Sequence, residues 1–226
     1  MLGLADSEVL DVLLVDDHPV VRVGFATLLG QLHKTMCFYE AEDAVSALAL
    51  ATARRPRIAL VDLSLAGVTS LGLVKDLHEA VPGMAILVTS MHDERLYAER
   101  ALRAGARGYM MKHNASSSVV KAVETVCAGR IWLSDAMQTI VLGRLSPGTG
   151  ETTSNALATL SDREIEVFQL IGMGQKKTEI AERLSLSPHT VETYRTQIKR
   201  KLGIASGAEL YRMAFLHFSE QNPGAR

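Results

Sequence analysis

Through the first 130 residues, short apolar runs alternate with longer stretches whose apolar residues recur at helical spacing. The runs cover residues 12–15, 36–39, 58–63, 85–88 and 108–111. Several lack polar alternation, which marks strands buried on both faces. The helical stretches cover residues 20–29, 44–53, 71–80, 96–104 and 119–128. Five strands alternating with five helices predict a doubly wound α/β domain with a five-stranded parallel sheet.

The punctuation agrees. Pro56 and Pro82 each precede a strand and close the helix before it. Gly105 and Gly129 stand where helices should stop. Asp43 and Ser117 read as helix N-caps. A short connecting helix is expected over residues 134–144. Residues 146–155 then turn to Ser, Pro, Gly, Thr and Asn, the composition of a flexible linker.

Everything after that linker is helical by pattern. The expected helices are 161–171, 178–184, 188–202 and 207–218, giving a small all-α four-helix domain. Ser161 followed by Glu164 is a capping box. Pro188 suits a first helical position. The expected division is therefore an α/β domain over 9–130, a linker with a short helix over 131–156, and a helical domain over 157–221.

Composition excludes some classes. The chain is 47% apolar and 22% charged, so it is neither disordered nor fibrous. No apolar run approaches the roughly 20 residues that span a bilayer. Residues 1–10 carry Asp6 and Glu8 and do not read as a signal peptide. A cytoplasmic protein without a membrane partner is the expectation. Cys37 and Cys127 sit among apolar residues and read as small buried hydrophobes rather than a disulfide or metal site.

Net charge is −1, yet its distribution is uneven. Residues 174–203 hold seven Lys and Arg against three acids, a local excess of +4. That marks one anion-binding face.

The strand ends of the first half carry the candidate chemistry, because functional groups in an open parallel sheet gather at the carboxyl ends of its strands. The first strand ends in Asp16 and Asp17, the third at Asp62, the fourth in Thr89 and Ser90, and the fifth at Lys112. Converging carboxylates repel, and a divalent cation among oxygen ligands relieves that; Mg²⁺ suits such a set. Lys112 and Ser90 would then frame a space for a phosphoryl group. Asp62 is a candidate nucleophile, since aspartyl phosphates are known intermediates. The bland alternative is that Asp16 or Asp17 caps the helix starting near Pro19.

These residues, in the text Val-Leu-Leu-Val-Asp16-Asp17-His18-Pro19, Leu-Val-Asp62-Leu, Val-Thr-Ser90 and Gly108-Tyr109-Met-Met-Lys112, resemble the receiver domain of two-component response regulators over residues 11–130. The resemblance implies a flavodoxin-like fold and phosphorylation of Asp62 by a sensor histidine kinase. It implies Mg²⁺ held by Asp16, Asp17, Asp62 and the Ser64 carbonyl. Ser90 and Lys112 would contact the phosphate, and Tyr109 would reorient as the switch. The chain departs from the family at Leu65-Ala66-Gly67, at Thr69-Ser70 and at His113-Asn114, where loop geometry differs but the acids remain.

In the second half, residues 188–202 place Val191, Ile198 and Leu202 on one side and Glu192, Arg195, Thr196, Lys199 and Arg200 on the other. An exposed polar helix after a short turn from a small helix is the helix-turn-helix design. The text Leu-Ser-Asp-Arg-Glu, Glu-Ile-Ala, Thr-Val and Lys-Leu-Gly resembles the DNA-binding domain of the LuxR/NarL class. By that resemblance residues 188–202 form the recognition helix, and the helix after Gly207 supports dimers. The DNA-facing candidates are Lys176, Lys177, Ser187, Thr190, Glu192, Thr193, Arg195, Thr196, Lys199 and Arg200. Glu192 cannot bind phosphate; it reads a cytosine amino group or faces solvent. Gly172-Met-Gly174 follows a helix rather than a strand, so it is not a nucleotide loop.

Three functions compete. The first is a transcription factor, not an enzyme, in which phosphorylation of Asp62 controls dimerisation and DNA binding. The second is a Mg²⁺-dependent phosphatase, which leaves the helical half unexplained. The third is a phosphorylation-independent regulator whose first domain is a pseudo-receiver for a partner or ligand.

Overall fold

The computed structural model describes residues 9–31, 35–65, 68–145 and 155–221. The chain divides into two compact units, with the boundary between Pro147 and Gly148.

The first unit is built on a five-stranded parallel sheet of β1 (Leu10–Val15), β2 (Met36–Ala41), β3 (Ile58–Asp62), β6 (Ala85–Ser90) and β7 (Gly108–Met111). Their spatial order is β2-β1-β3-β6-β7. This doubly wound order reverses direction between β1 and β3, so a crevice opens at the carboxyl ends of those two strands. The helices are α1 (Pro19–Leu29), α2 (Ala44–Arg54), α3 (Leu71–Ala80), α4 (Glu94–Arg103) and α5 (Ala115–Cys127).

The unbroken apolar runs have the burial expected of a covered sheet. Every residue of β3 and β6 is buried. The core behind the sheet gathers Val12, Leu14, Leu60 and Leu87 with Phe25 and Leu29 of α1 and Val119, Val123 and Val126 of α5. Each such side chain contributes about 1.5–3 kcal/mol on leaving water.

Local chemistry explains most element ends. Asp43 accepts from the Ser46 N–H at 2.7 Å and closes a capping box on α2. Gly105 and Gly129 follow their helices with φ of 108° and 77°, a region open to glycine at no steric cost. Ser117 is not a cap. Helix α5 starts earlier, at Ala115, and the Ser117 hydroxyl donates back to the Asn114 carbonyl at 3.1 Å. Apolar periodicity registers only the packed face, so the polar first turn Ala115-Ser116-Ser117-Ser118 was invisible to it. Helix α4 likewise begins at Glu94 rather than 96, with Asp93 accepting from the Arg95 N–H.

Two small strands, β4 (Ser64–Leu65) and β5 (Val68–Thr69), form an antiparallel hairpin just after Asp62. Ala66 and Gly67, part of the altered loop, lie outside the described residues. A 3-10 turn covers Lys112–Asn114. The connecting helix is α6 (Asp135–Leu145). Residues 146–154 of the Ser/Gly/Thr linker lie outside the described residues, and Asn155 already opens a short helix, α7 (Asn155–Ala158). Cys127 is buried, whereas Cys37 is only half-buried.

The second unit continues with α8 (Asp162–Gly172), α9 (Lys177–Arg183), α10 (Pro188–Leu202) and α11 (Gly207–Gln221). Its core joins Ile165, Phe168, Ile180, Val191, Ile198 and Leu210, all buried. Ser161 and Glu164 form the expected capping box on α8. Gly172 is a packing residue: a Cβ there would lie 2.5 Å from the Ala214 carbonyl oxygen, so its absence lets α8 and α11 approach. Among the described residues no helix is long and apolar enough to cross a membrane.

Candidate functional site: an acidic pocket and a basic helix

The pocket is assembled by the parallel register. Val15 pairs with Val61 across β1 and β3, Asp62 pairs with Thr89, and Ser90 pairs with Met111. The residues just past or at those positions are Asp16, Asp62, Ser90 and Lys112, so the sheet itself brings them to one rim. Ligand atoms of Asp16, Asp17, His18 and Asp62 all lie within 4.8 Å of one another.

Asp16 does not cap α1. The cap residue is His18, without a side-chain cap bond, and Asp16 Oδ1 instead accepts the His18 N–H at 2.9 Å. Asp16 and Asp62 are both buried, while Asp17 is half-buried. Their counter-charge is Lys112, whose Nζ lies 2.7 Å from Asp16 Oδ2 and 2.9 Å from Asp62 Oδ2. His18, exposed, also lies 2.8 Å from Asp17 through Nδ1.

The electrostatics follow from burial. Removal from water pushes the Asp62 carboxyl up to about 6, against the opposing pull of Lys112 and with a further push from Asp16. Burial alone would lower Lys112, yet the two carboxylates outweigh it and hold the ammonium above its ordinary value. A buried acidic group whose charge costs this much is poised to accept further cationic support.

A second set of residues lines the β6–α4 side. Ser90 is fully buried, and its Oγ accepts the His92 N–H at 2.8 Å. His92 Nε2 lies 2.7 Å from Ser64 Oγ, which ties the loop after β6 to the loop after β3. Burial, with Lys112 nearby, holds that imidazole down to about 4, so it is neutral at ordinary pH. Tyr109 is buried in this structure, and its hydroxyl donates to the His92 carbonyl at 2.8 Å. Ser70 donates from its hydroxyl to the Asp62 carbonyl. From sequence, His18 and Ser70 stand only as parts of the quoted motifs and His92 only as a position near a strand end, with no role assigned to any of the three.

The basic helix is in the second unit. Ser187 caps α10 by accepting the Thr190 N–H at 3.0 Å, and the two hydroxyls lie 2.8 Å apart. Thr193 donates from Oγ1 to the His189 carbonyl at 3.1 Å. Val191 and Ile198 are buried, so α10 has one packed side. Glu192, Thr193, Thr196 and Arg200 are exposed on it, and Arg195, Lys199, Thr190 and Tyr194 are half-buried. Arg195 Nε is 4.0 Å from Glu192. Lys176 and Lys177 are exposed at the start of α9, where the Lys176 N–H donates to Glu179 at 2.7 Å. Lys201 leaves the basic group: its ammonium pairs with buried Glu164 at 2.6 Å.

Comparison with known proteins follows the same division. Residues 12–124 match the response regulator receiver domain, and residues 158–214 match the bacterial regulatory proteins of the luxR family. The response regulator UvrY of Escherichia coli is 33% identical over 209 residues, which cover 92% of this chain and 94% of that protein. The oxygen regulatory protein NreC of Staphylococcus carnosus is 33% identical over 207 residues, covering 90% of this chain and 95% of that one. RcsB of Salmonella enterica serovar Typhimurium, in a structure bound to promoter rprA in the presence of phosphomimetic BeF3-, shares the fold with a TM-score of 0.67. Its identity is 23%, over 92% of this chain and 99% of that chain. Matched in both units, and similar to such regulators along nearly its whole length, the chain belongs to the LuxR/NarL class of response regulators, a family of transcription factors rather than enzymes.

Proposed function

We propose that residues 9–130 form a phosphoacceptor receiver, that 131–156 connect it, and that 157–221 bind DNA under its control. The observation that carries this reading is the Lys112 ammonium shared between Asp62 and Asp16 at the sheet's rim.

In this reading an Asp62 carboxylate oxygen attacks the phosphorus of a phosphohistidine on a sensor kinase. A P–O bond forms, the P–N bond breaks, and the histidine nitrogen takes up a proton. Asp16, Asp17 and Asp62 offer hard oxygen donors within a small space, a set that fits Mg²⁺, and the Ser64 carbonyl is the further donor that the likeness to receivers implies. The bound ion would neutralise developing phosphoryl charge. Lys112 then moves from bridging two carboxylates to contacting the phosphoryl oxygens, and Ser90 donates a hydrogen bond to them. Tyr109 follows the Ser90 loop. Asp62 is an acceptor, not the nucleophile of a turnover enzyme.

The output is DNA binding as a homodimer when phosphorylated, in the cytoplasm and without a membrane partner. Residues 188–202 enter the major groove. Lys176, Lys177, Arg195, Lys199 and Arg200 contact phosphates, with Ser187 and Thr190 donating hydroxyls near the helix start. Glu192, Thr193 and Thr196 are the candidates for base edges. The exposed Tyr211, Phe215 and Leu216 on α11 support the dimer contact expected there.

The test is selection of bound DNA sequences with and without a small phosphodonor and Mg²⁺, in wild type and Asp62→Ala. Phosphodonor should raise affinity for the selected site in wild type only. Equal stimulation of the variant would remove Asp62 as the acceptor. Wild-type protein that takes no phosphate yet binds DNA would favour the pseudo-receiver.

A further inference from the structure

The chain does not leave the sheet when α5 ends. Trp132 makes a parallel bridge with Gly108 on β7, the edge strand. The Trp132 N–H donates to the Arg107 carbonyl at 3.0 Å, and the Tyr109 N–H donates to the Trp132 carbonyl at 3.0 Å. The segment at Trp132 thus pairs with the start of the open edge of β7, where backbone groups would otherwise be left unpaired. The next residues are also held. Ser134 donates from its hydroxyl to the Glu94 carboxylate at the start of α4, and it accepts the Met137 N–H at 3.1 Å. Leu133 and Met137 are buried.

Both anchors sit on elements that flank the Ser90 loop. Tyr109 touches Trp132 with its backbone and the His92 carbonyl with its hydroxyl. The His92 N–H in turn reaches Ser90 Oγ. Glu94 lies at the far end of the same loop, against Ser134. Any displacement of Ser90 toward a phosphoryl group on Asp62 therefore pulls on the segment at two places. The fit is close: a Cβ on Gly108 would lie 2.9 Å from the Trp132 Cβ and 3.0 Å from its carbonyl oxygen.

We propose that residues 131–134 are an edge strap that reads the position of the Ser90 loop and passes it to α6 and the connection beyond. This rests on the reading of Asp62 as the phosphate acceptor. A strap held by few backbone bonds at a sheet edge belongs to the least stable part of a domain. A small shift on the phosphate side is therefore enough to loosen it or change its register.

Trp132 is the sole tryptophan of the chain, so its emission reports the strap directly in the full-length protein. Acetyl phosphate with Mg²⁺ should change Trp132 emission and speed amide exchange at Tyr109 and Trp132 about tenfold. Asp62→Ala should show neither change. Ser134→Ala cuts the tether to Glu94 and leaves the sheet intact. It should still take phosphate at Asp62, while the ratio of DNA affinities with and without phosphodonor falls about fivefold. Gly108→Ala, a wedge under Trp132, should act in the same direction. Phosphorylated protein that binds DNA more tightly, with Trp132 emission and exchange unchanged, overturns the strap alone. If intact mass shows no phosphate on the wild type, the reading of Asp62 falls and the strap with it.

Discussion

Lys112 and Asp62 lie 2.9 Å apart, and the same ammonium lies 2.7 Å from Asp16. One cation is therefore shared by two buried carboxylates. A further charge entering the pocket would compete for that ammonium, since the His18 imidazole stands farther from Asp16, at 3.3 Å, and the Arg22 guanidinium reaches the backbone carbonyl of Asp16 rather than its carboxylate.

That sharing predicts opposite effects of one substitution. Lys112→Ala leaves Asp16 and Asp62 facing each other uncompensated, so Mg²⁺ should bind more tightly, on the order of tenfold. The phosphodonor-induced gain in DNA affinity should disappear, because no ammonium remains to draw on the phosphoryl oxygens. Titration calorimetry with Mg²⁺ reads the first effect and operator binding the second. Weaker Mg²⁺ binding in the variant would contradict the charge argument.

The helical unit should be acid-labile through Glu164. Burial alone would raise this carboxyl, yet Lys201 at 2.6 Å and the N–H and hydroxyl of Ser161 outweigh it and hold it below its ordinary 4.5. A group whose folded value is depressed adds stability above its unfolded value and loses that stability as pH falls through the folded one. Denaturant midpoints followed by helical circular dichroism should fall as pH drops below 4.5. In Glu164→Gln the midpoint at neutral pH should already be lower, and this part of the acid dependence should be gone. An unchanged acid slope in the variant would assign the lability to other carboxyls.

Two glycines in helices should respond in opposite senses to alanine. At Gly172 the new Cβ meets the Ala214 carbonyl oxygen at 2.5 Å and its carbon at 2.9 Å, backbone that cannot swing aside. Gly172→Ala should destabilise by about 1–3 kcal/mol. At Gly24 in α1 nothing lies within 4 Å of the added carbon. Gly24→Ala should stabilise by about 0.5–1 kcal/mol, through the better helix propensity of alanine. Thermal melts of the full chain settle both signs.

The DNA-facing residues should separate by chemistry. Lys199→Ala should weaken binding to all sequences alike and reduce the slope of affinity against salt by about one counterion. Glu192→Ala should instead relax preference at one base pair by about 1–3 kcal/mol, leaving the salt slope nearly unchanged. Binding measured across a salt series, on a selected site and its single-base variants, distinguishes them. A uniform effect of Glu192→Ala would place that carboxylate in solvent.

Much of the fold was legible because its signals are local. Unbroken apolar runs marked strands covered on both sides, and Ser161 with Glu164 announced the start of α8. Where patterning falls short, the residues are polar ones that either lie in a turn without apolar neighbours or have partners distant in sequence. The start of α5 has no apolar signal, so the pattern points to Ser117 as a cap although Ala115 opens the helix. His92 carries no local signal, because Ser64 and Tyr109 meet it only through the sheet. Lys201 belongs by sequence to the basic stretch 174–203, and only the fold sets it beside Glu164, thirty-seven residues earlier.

The order of residue types along the chain was enough to determine the two kinds of unit, the set of acids at strand ends and the basic helix, since each depends on period or on chemistry at adjacent positions. What tertiary structure alone decided is which of these groups share a charge and which elements are tied together. Asp16 and Lys112 are ninety-six residues apart and in contact, and Trp132 lies along β7 because Gly108 carries no side chain to keep it away. Those relations arise from the register of parallel strands and the space between packed atoms, quantities that no stretch of neighbouring residues encodes.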